Sequence, residues 1–520
     1  MKKILFTLGL ISTFIFSSCS EDFLDVESET QIAEDNFWQN EQDAFLALNG
    51  VYASLQPTSL YGGMLNAWIG FPSFDCFGDN SFNQFKWEGA GTFMEGTATP
   101  ADGPIRNIWQ DLYRGIARAN IVIQNVQEIP DEFIEEESRQ SILGQALFLR
   151  SLMYFNLAVY YEDVPLILEF QDLEDAYVPK NQQDEIMEQI IDDLIIARDL
   201  VPMSSNSNGV SDDFGYATRG SVLGLLARVQ LYNHNYAGPF GVIDVTEELL
   251  GMGYSLHPNY GELFTLEGQF SNEVVFSVRF LRDPNTGNGE TLSATFANTP
   301  KIDERPMPNL VNDYYCTDGL PITESPLYDP NNPGENRDPR ANASIYFPGD
   351  LFLIAPDEEV FTGNSPTGFG KRKYIRRQTI DDASIGGPGS QDFYVIRYAD
   401  VLLMRAEALA ETGDLGGAAE LINQVRARVG MPSVEDVEGA VGQQEMIDIV
   451  RHERRVELAL EGLRFMDLKR WGEMQQAVER AAADPVPPYN PIYNGLRTEV
   501  FYIPQNDLDV NPNLEQHPAW

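Results

Sequence analysis

Residues 397–430 read RYADVLLMRAEALAETGDLGGAAELINQVRARVG. Tyr398 to Glu411 carries apolar residues at helical spacing, Thr412-Gly413-Asp414 is a tight turn, and Gly417 to Arg428 is a returning helix with Gly430 past its end. Small side chains at the crossing, Ala406, Ala410, Ala418 and Ala419, let the two backbones approach. A helix pair of 34 residues has the length of a tetratricopeptide repeat. An ordinary helical hairpin has the same local signature, so the repeat reading depends on the rest of the chain.

Outward from this pair, further stripes recur at helical period. They are Ala44, Leu48, Val51 and Leu55; then Ile105, Trp109, Leu112, Ile116, Ala119 and Ile123; then Met187, Ile190, Leu194, Ala197 and Val201, ended by Pro202. Thr218 to Tyr232 adds another helix. Gln145 to Tyr161 is apolar nearly all round, which requires enclosure by neighbours, and Pro165 follows as a stop. Helical repeats are therefore expected over about 40–260 and 392–475. Two stretches break the pattern. Residues 61–103 are rich in Gly, Pro, Asn and Phe, and residues 264–391 mix short β-like runs (Val274 to Phe280, Leu351 to Ile354) with turn-forming clusters. Both are too long for simple connectors and are the expected ligand side. Leu496 to Trp520 reads as a closing extended segment. The predicted fold is mainly α, a tetratricopeptide-like helical-pair scaffold with large loop and short-strand insertions, forming one domain over 36–520.

The chain of 520 residues has 79 Asp+Glu against 35 Lys+Arg, a formal charge of −44. A surface that tracks nucleic acid needs concentrated positive charge, so nucleic acid is excluded as a partner. The hydrophobic content of 43% is enough for a sizeable core. Motifs for catalysis fail one by one. No G-x-S-x-G occurs. Gly370-Lys371 is followed by Arg372 where a phosphate loop needs Ser or Thr, and its upstream glycine is Ser365. Gly287-Asn288-Gly289 lacks the third glycine of a dinucleotide fingerprint. The four histidines are nowhere at i,i+4 and there is no C-x-x-C, so no metal site or cofactor is expected. Loops starting at Asp283 and Asp329 have Ala294 and Arg340 at the twelfth position, which rules out an EF-hand; isolated Ca²⁺ on scattered carboxylates stays open. A glycosidase dyad also stays open, because it is defined by distance in space.

Met1-Lys2-Lys3 followed by thirteen residues from Ile4 to Phe16, almost all apolar, has the form of a secretory signal and is too short to span a bilayer. Phe16-Ser17-Ser18-Cys19 resembles a lipobox, the alternative being a plain secretory signal. Residues 1–18 then form the signal peptide, Cys19 is acylated and held in outer-membrane lipid, and 19–35 form a tether. Ser20-Glu21-Asp22 resembles an acidic signal for export to the outer face of the outer membrane. Of the remaining cysteines, Cys76 and Cys316 either pair or stay as buried thiols.

Taken in order, several segments resemble the SusD/RagB family of nutrient-binding outer-membrane lipoproteins of Bacteroidetes. Arg451 to Gly472, RHERRVELALEGLRFMDLKRWG, is similar to the family's E-R-R-x-E-L-x-x-E-G-x-R-x-x-D-L-x-R-W. Arg397 to Ala408 is similar to R-Y-A-D-x-L-L-x-x-A-E-A. Phe37-Trp38 with Asn49 to Tyr52, Ala146 to Arg150 with Asp163 to Pro165, Asn336 to Arg340, and Gln516 to Trp520 fit in sequence, with His517 where Asn is common. The resemblance implies a protein that is not an enzyme, captures an oligosaccharide, and acts as a lid on a SusC-like TonB-dependent transporter. The other readings are a surface glycosidase on a helical scaffold and a repeat scaffold without a sugar site.

Glu453, Glu457 and Glu461 stand at i,i+4, where like charges on one helix repel and need cations nearby. Arg454 and Arg464, three residues from Glu457 and Glu461, are the expected partners, and the five residues read as a structural ion network. The resemblance carries over no sugar contacts residue by residue. Composition points to the cluster Trp68, Phe71, Phe74, Phe77, Phe82, Phe85 and Trp87, interleaved with acids and amides. Aromatic faces beside carboxylates and amides suit the apolar face and hydroxyls of a sugar. The candidate glycan contacts are Trp68, Asp75, Asn83, Phe85 and Trp87, although such phenylalanines also serve as core plugs. The one basic cluster, Lys371-Arg372-Lys373 with Arg376-Arg377, reads as a partner for structural carboxylates, with an anionic-sugar contact as the alternative.

Overall fold

The computed structural model describes residues 37–520 apart from 66–67, 172–175, 204–213, 284, 286–288, 293–303, 354–358, 376–387 and 487–488. The expected signal peptide, Cys19 and the tether lie outside the described residues. The long helices before the large insertion are α1 (Glu41–Ala53), α2 (Gly103–Asn125), α3 (Glu136–Tyr161), α4 (Gln183–Leu200), α5 (Arg219–Tyr232) and α6 (Val242–Leu250). After it come α7 (Tyr398–Thr412), α8 (Leu415–Arg428), α9 (Gln443–Glu457), α10 (Arg464–Trp471) and α11 (Met474–Ala483). Helix ends follow local chemistry. The Asn40 side chain accepts the N–H groups of Gln42 and Asp43 at the start of α1. The α7–α8 turn places Gly413 at φ 91°, a conformation that suits glycine, and Asp414 accepts the Gly417 N–H at 3.0 Å.

Successive helices pack side by side: α3 lies against α2 and α4, α4 against α5, α5 against α6, and α7 against α8 and α9. Helix α6 also packs on α7, so the helical stack continues across the residues inserted between them. Gly144 to Tyr161 of α3 is buried without interruption, as its all-round apolar sequence requires. Among the described residues α3 alone is long and apolar enough to cross a membrane, and it is enclosed in the core instead.

The insertion is closed by two antiparallel strands that pair Phe393 with Val278 and Arg397 with Val274. Ser81–Asn83 pairs with Glu304–Pro306, so the two irregular stretches join each other. Beneath this junction Phe71, Phe74, Phe77, Phe93, Tyr160, Phe465 and Phe501 form one aromatic cluster, with Phe74–Tyr160 centroids at 4.9 Å and Phe77–Phe501 at 5.0 Å. Burial of each ring contributes about 1.5–3 kcal/mol. The C-terminal segment closes over it: the Phe501 N–H donates to the Tyr160 carbonyl at 2.7 Å, and Trp520 Nε1 donates to the Val500 carbonyl at 2.8 Å. Cys76 and Cys316 are both free and buried, which removes the disulfide alternative. Burial pushes the Cys76 thiol well up, so it stays protonated and inert.

Candidate ligand surface and the ion network behind it

The C-terminal motif departs from a single helix. Helix α9 ends at Glu457, Leu460 takes φ 65° and Gly462 φ 81°, so Glu461 sits in a turn beyond the helix. Its acids use cations other than the expected neighbours. Glu453 accepts from Arg340 at 2.6 Å and from Arg426 at 2.8 Å. Glu457 meets Arg340 at 3.0 Å, Arg397 at 2.6 Å and Arg428 at 2.5 Å. Glu461 meets Lys373 at 2.7 Å and Arg397 at 2.8 Å. Arg454 reaches Asp400 at 2.9 Å and Asp467 at 3.2 Å rather than Glu457, and Arg464 reaches Asp79 at 2.7 Å rather than Glu461. Burial alone would raise the Glu457 carboxyl; Arg428, Arg397 and Arg340 overcome it and hold the group well below the usual carboxylate range. The same opposition lowers Glu453, where Arg340 and Arg426 prevail.

Arg340, Arg397, Arg426 and Arg428 were not assigned this role from sequence, whereas Lys373 belongs to the basic cluster read as a partner for structural carboxylates. A signal existed for the adjoining cluster. Asp400 and Glu407 interrupt an apolar run on α7, seven residues apart on one face, and both are buried acids. Asp400 receives Arg228 and Arg454, while Glu407 receives Arg470 and Trp471 Nε1.

Two candidate sugar contacts belong to this interior. Asp75 is fully buried; its carboxylate accepts the backbone N–H of Leu460 at 2.7 Å, Gly462 at 3.1 Å and Arg464 at 3.3 Å, and the Asn80 amide at 3.0 Å. It braces the turn after α9 and has no face for a sugar. A Cβ on Gly462 would lie 1.9 Å from the Phe71 carbonyl oxygen, so this close approach admits only glycine. Asn83 is buried as well, and its amide donates to Glu88 at 3.0 Å. Phe71, Phe74, Phe77 and Phe82 are core. Trp68 lies in a short strand paired with Met64–Leu65; its side chain is outside the described residues.

Phe85 and Trp87 remain at the surface. Trp87 is 57% exposed, Phe85 is half-buried, and their centroids lie 6.0 Å apart with planes at 47°. Their turn is held from several sides. Lys86 pairs with Glu95 at 2.7 Å, Glu95 accepts the Asn490 N–H at 3.0 Å, and the Ile492 N–H donates to the Met94 carbonyl at 2.8 Å. Beneath, Phe82 packs on Tyr489 at 4.8 Å. The surface thus continues from 84–95 onto the exposed Asn490, Ile492, Asn494 and Leu496. Two cavities elsewhere, one of about 60 Å³ beside Tyr216, Tyr254 and Asn272 and one of about 30 Å³ between Tyr61, Asn156 and Arg228, have room for a few waters rather than a sugar ring. Among the described residues no group of three or more His, Cys, Asp or Glu is arranged to hold a metal ion.

Lys371 and Lys373 of the basic cluster turn inward. Lys371 donates to Glu304 at 2.8 Å, and Lys373 donates to Glu461 and to the Glu457 and Ala459 carbonyls. Burial pushes Lys373 down to about 8 against the pull of Glu461. Arg372 lies over the Tyr346 ring at 5.2 Å, and Arg376 and Arg377 are outside the described residues.

A family model described as the SusD family matches residues 272–520, and one described as starch-binding associating with outer membrane matches residues 22–231. The chain belongs to the SusD/RagB family. A SusD-like protein of Formosa agariphila is 28% identical, over 98% of this chain and 97% of its own length. Among solved structures, a SusD-like carbohydrate-binding protein from Bacteroides fragilis superposes with a TM-score of 0.78 at 26% identity, covering 92% of this chain and 100% of that one. A laminarin-binding SusD-like protein gives 0.73 at 26% identity, covering 93% and 100%. The outer membrane is the location to which the family description points.

Proposed function

We propose that this protein binds a glycan at the outer membrane through the surface centred on Phe85 and Trp87, does not cleave it, and delivers it to a SusC-like TonB-dependent transporter. The observation that carries the reading is a large exposed indole on a turn braced by Lys86–Glu95 and Asn83–Glu88, in a chain whose relatives include carbohydrate-binding and laminarin-binding proteins. An aromatic ring held rigidly loses little conformational entropy when a sugar stacks on it. The acids gathered at the C-terminal motif are buried against cations, so they are not placed as an acid–base pair for hydrolysis. Acylation at Cys19 would tether the protein, with the loops facing the ligand and the helical stack facing the transporter.

Affinity electrophoresis of the purified protein against a polysaccharide panel tests this reading. Retardation without release of reducing ends is expected. Reducing-end release would instead support a glycosidase. Retention unchanged in Trp87→Ala would move the site elsewhere, and no retention on any glycan would leave a scaffold without a sugar site. Co-purification of a TonB-dependent transporter from membranes, lost in Cys19→Ala, tests the partner and the anchor together.

A further inference from the structure

We infer that the Phe85–Trp87 surface is selective for uncharged glycans and rejects sulfated and uronic-acid chains; this rests on the glycan-binding reading above. The surface is built from residues 84–102 and 489–499, which contain two cations, Lys86 and Arg497, against four acids, Glu88, Glu95, Asp102 and Glu499. Both cations are committed. Lys86 is neutralised by Glu95 at 2.7 Å. Arg497 donates to the Ala98 carbonyl at 3.1 Å, and its guanidinium lies 4.2 Å from the centroid of the Trp520 ring. A sulfate or carboxylate brought here would lose hydration without gaining a charge-assisted hydrogen bond.

Among the described residues, the basic cluster does not supply what this surface lacks. The sequence's one basic cluster sends Lys371 and Lys373 into the interior, both fully buried against Glu304 and Glu461. Arg372 stacks on Tyr346 and stands 3.9 Å from Asp350. The net charge of −44 adds a repulsive field for any polyanion. What the surface does offer suits a neutral pyranose: the Trp87 face for the apolar side of a ring, and the exposed amides of Asn490 and Asn494 for hydroxyls.

The test is native electrophoresis of the intact protein at low salt in gels containing laminarin, starch or xylan, compared with alginate, polygalacturonate or chondroitin sulfate. Retardation by at least one neutral glycan is expected, with every anionic glycan weaker by about tenfold or more. An anionic chain binding as tightly as the best neutral one, with retention that salt abolishes, overturns the inference while leaving glycan binding intact. Retention on neither class overturns the glycan-binding reading itself, and the inference falls with it. Neutral retention that survives Trp87→Ala removes the preference from this surface and overturns the proposal as stated. The variant Glu95→Gln takes away the carboxylate that neutralises Lys86, and it is expected to acquire salt-sensitive retention on the anionic gels. No gain in that variant overturns the role given to the Lys86–Glu95 pair.

Discussion

Helices α3 and α9 are both enclosed by the protein, but by opposite means. In α3 the stretch from Gly144 to Tyr161 is buried mainly through apolar side chains, with Arg150–Asp193 as a paired charge. In α9 the buried set includes Glu453, Arg454, Arg455 and Glu457, all held by ion pairs. The hydrophobic effect is non-directional, so any close-packed apolar neighbour satisfies α3. A buried charge is tolerated only where an opposite charge and hydrogen-bond donors meet it at the right distance. Losses in α3 should therefore be graded by volume, whereas the loss of Glu457 in α9 takes one shared anion from Arg340, Arg397 and Arg428 at once.

The sharpest way to break this contrast is Glu457→Gln. It leaves Arg340, Arg397 and Arg428 sharing too little negative charge, and a loss of about 3–5 kcal/mol in urea-unfolding stability is expected. Leu149→Ala on α3, at a fully buried position, is expected to cost about 3 kcal/mol, set by the cavity it leaves. A larger loss for Leu149→Ala than for Glu457→Gln would refute the asymmetry. The acid limb of the stability profile separates the two regions further. Asp400, paired with Arg228 and Arg454, is held at about 2 against an ordinary 3.8. Burial opposes that shift and the two arginines overcome it. Its contribution, about 2 kcal/mol, is complete above the unfolded value and lost as pH falls from 3.8 toward 2. Asp400→Asn should flatten that limb, and Leu149→Ala should leave its slope unchanged. The smallest effect on stability belongs to the exposed turn. Trp87→Ala should stay within about 0.5 kcal/mol of the parent protein while abolishing glycan retention in gels.

The same physics decides what is legible in the sequence. The stripes of α1, α2, α4 and α5 and the pair α7–α8 lie where their periodicity predicts, because an amphipathic face needs only an apolar neighbour and its pattern is local. The all-round apolar α3 announces its burial in the same way. The ion network is not local. Asp75 accepts from Gly462 across 387 residues, and Arg397 reaches Glu461 across 64. Spacing along the motif pointed to Arg454 and Arg464 as partners because they are near in the chain. The break after Glu457 and the return of the 338–340 and 371–397 segments replaced them with Arg340, Arg397, Arg428 and Lys373. For the candidate ligand surface, aromatic composition pointed to residues 68–87 as a whole. It did not separate Phe85 and Trp87, which remain outside, from Asp75 and Asn83, which face inward, because Asp75 is drawn in by the backbone N–H groups after α9 and Asn83 by the strand pairing with Glu304–Pro306.

By itself the sequence determined a mainly helical chain of paired helices with two long irregular stretches, and motifs specific enough to place it in its family. Those properties rest on interactions within a few turns of helix or on the order of residues along the chain. The tertiary structure decided which carboxylate meets which cation, including Glu304 for Lys371 and Glu461 for Lys373, and which members of the aromatic loop are core. Such outcomes depend on distances between segments hundreds of residues apart. Charge pairing is steep enough in distance and burial that only the assembled fold settles it.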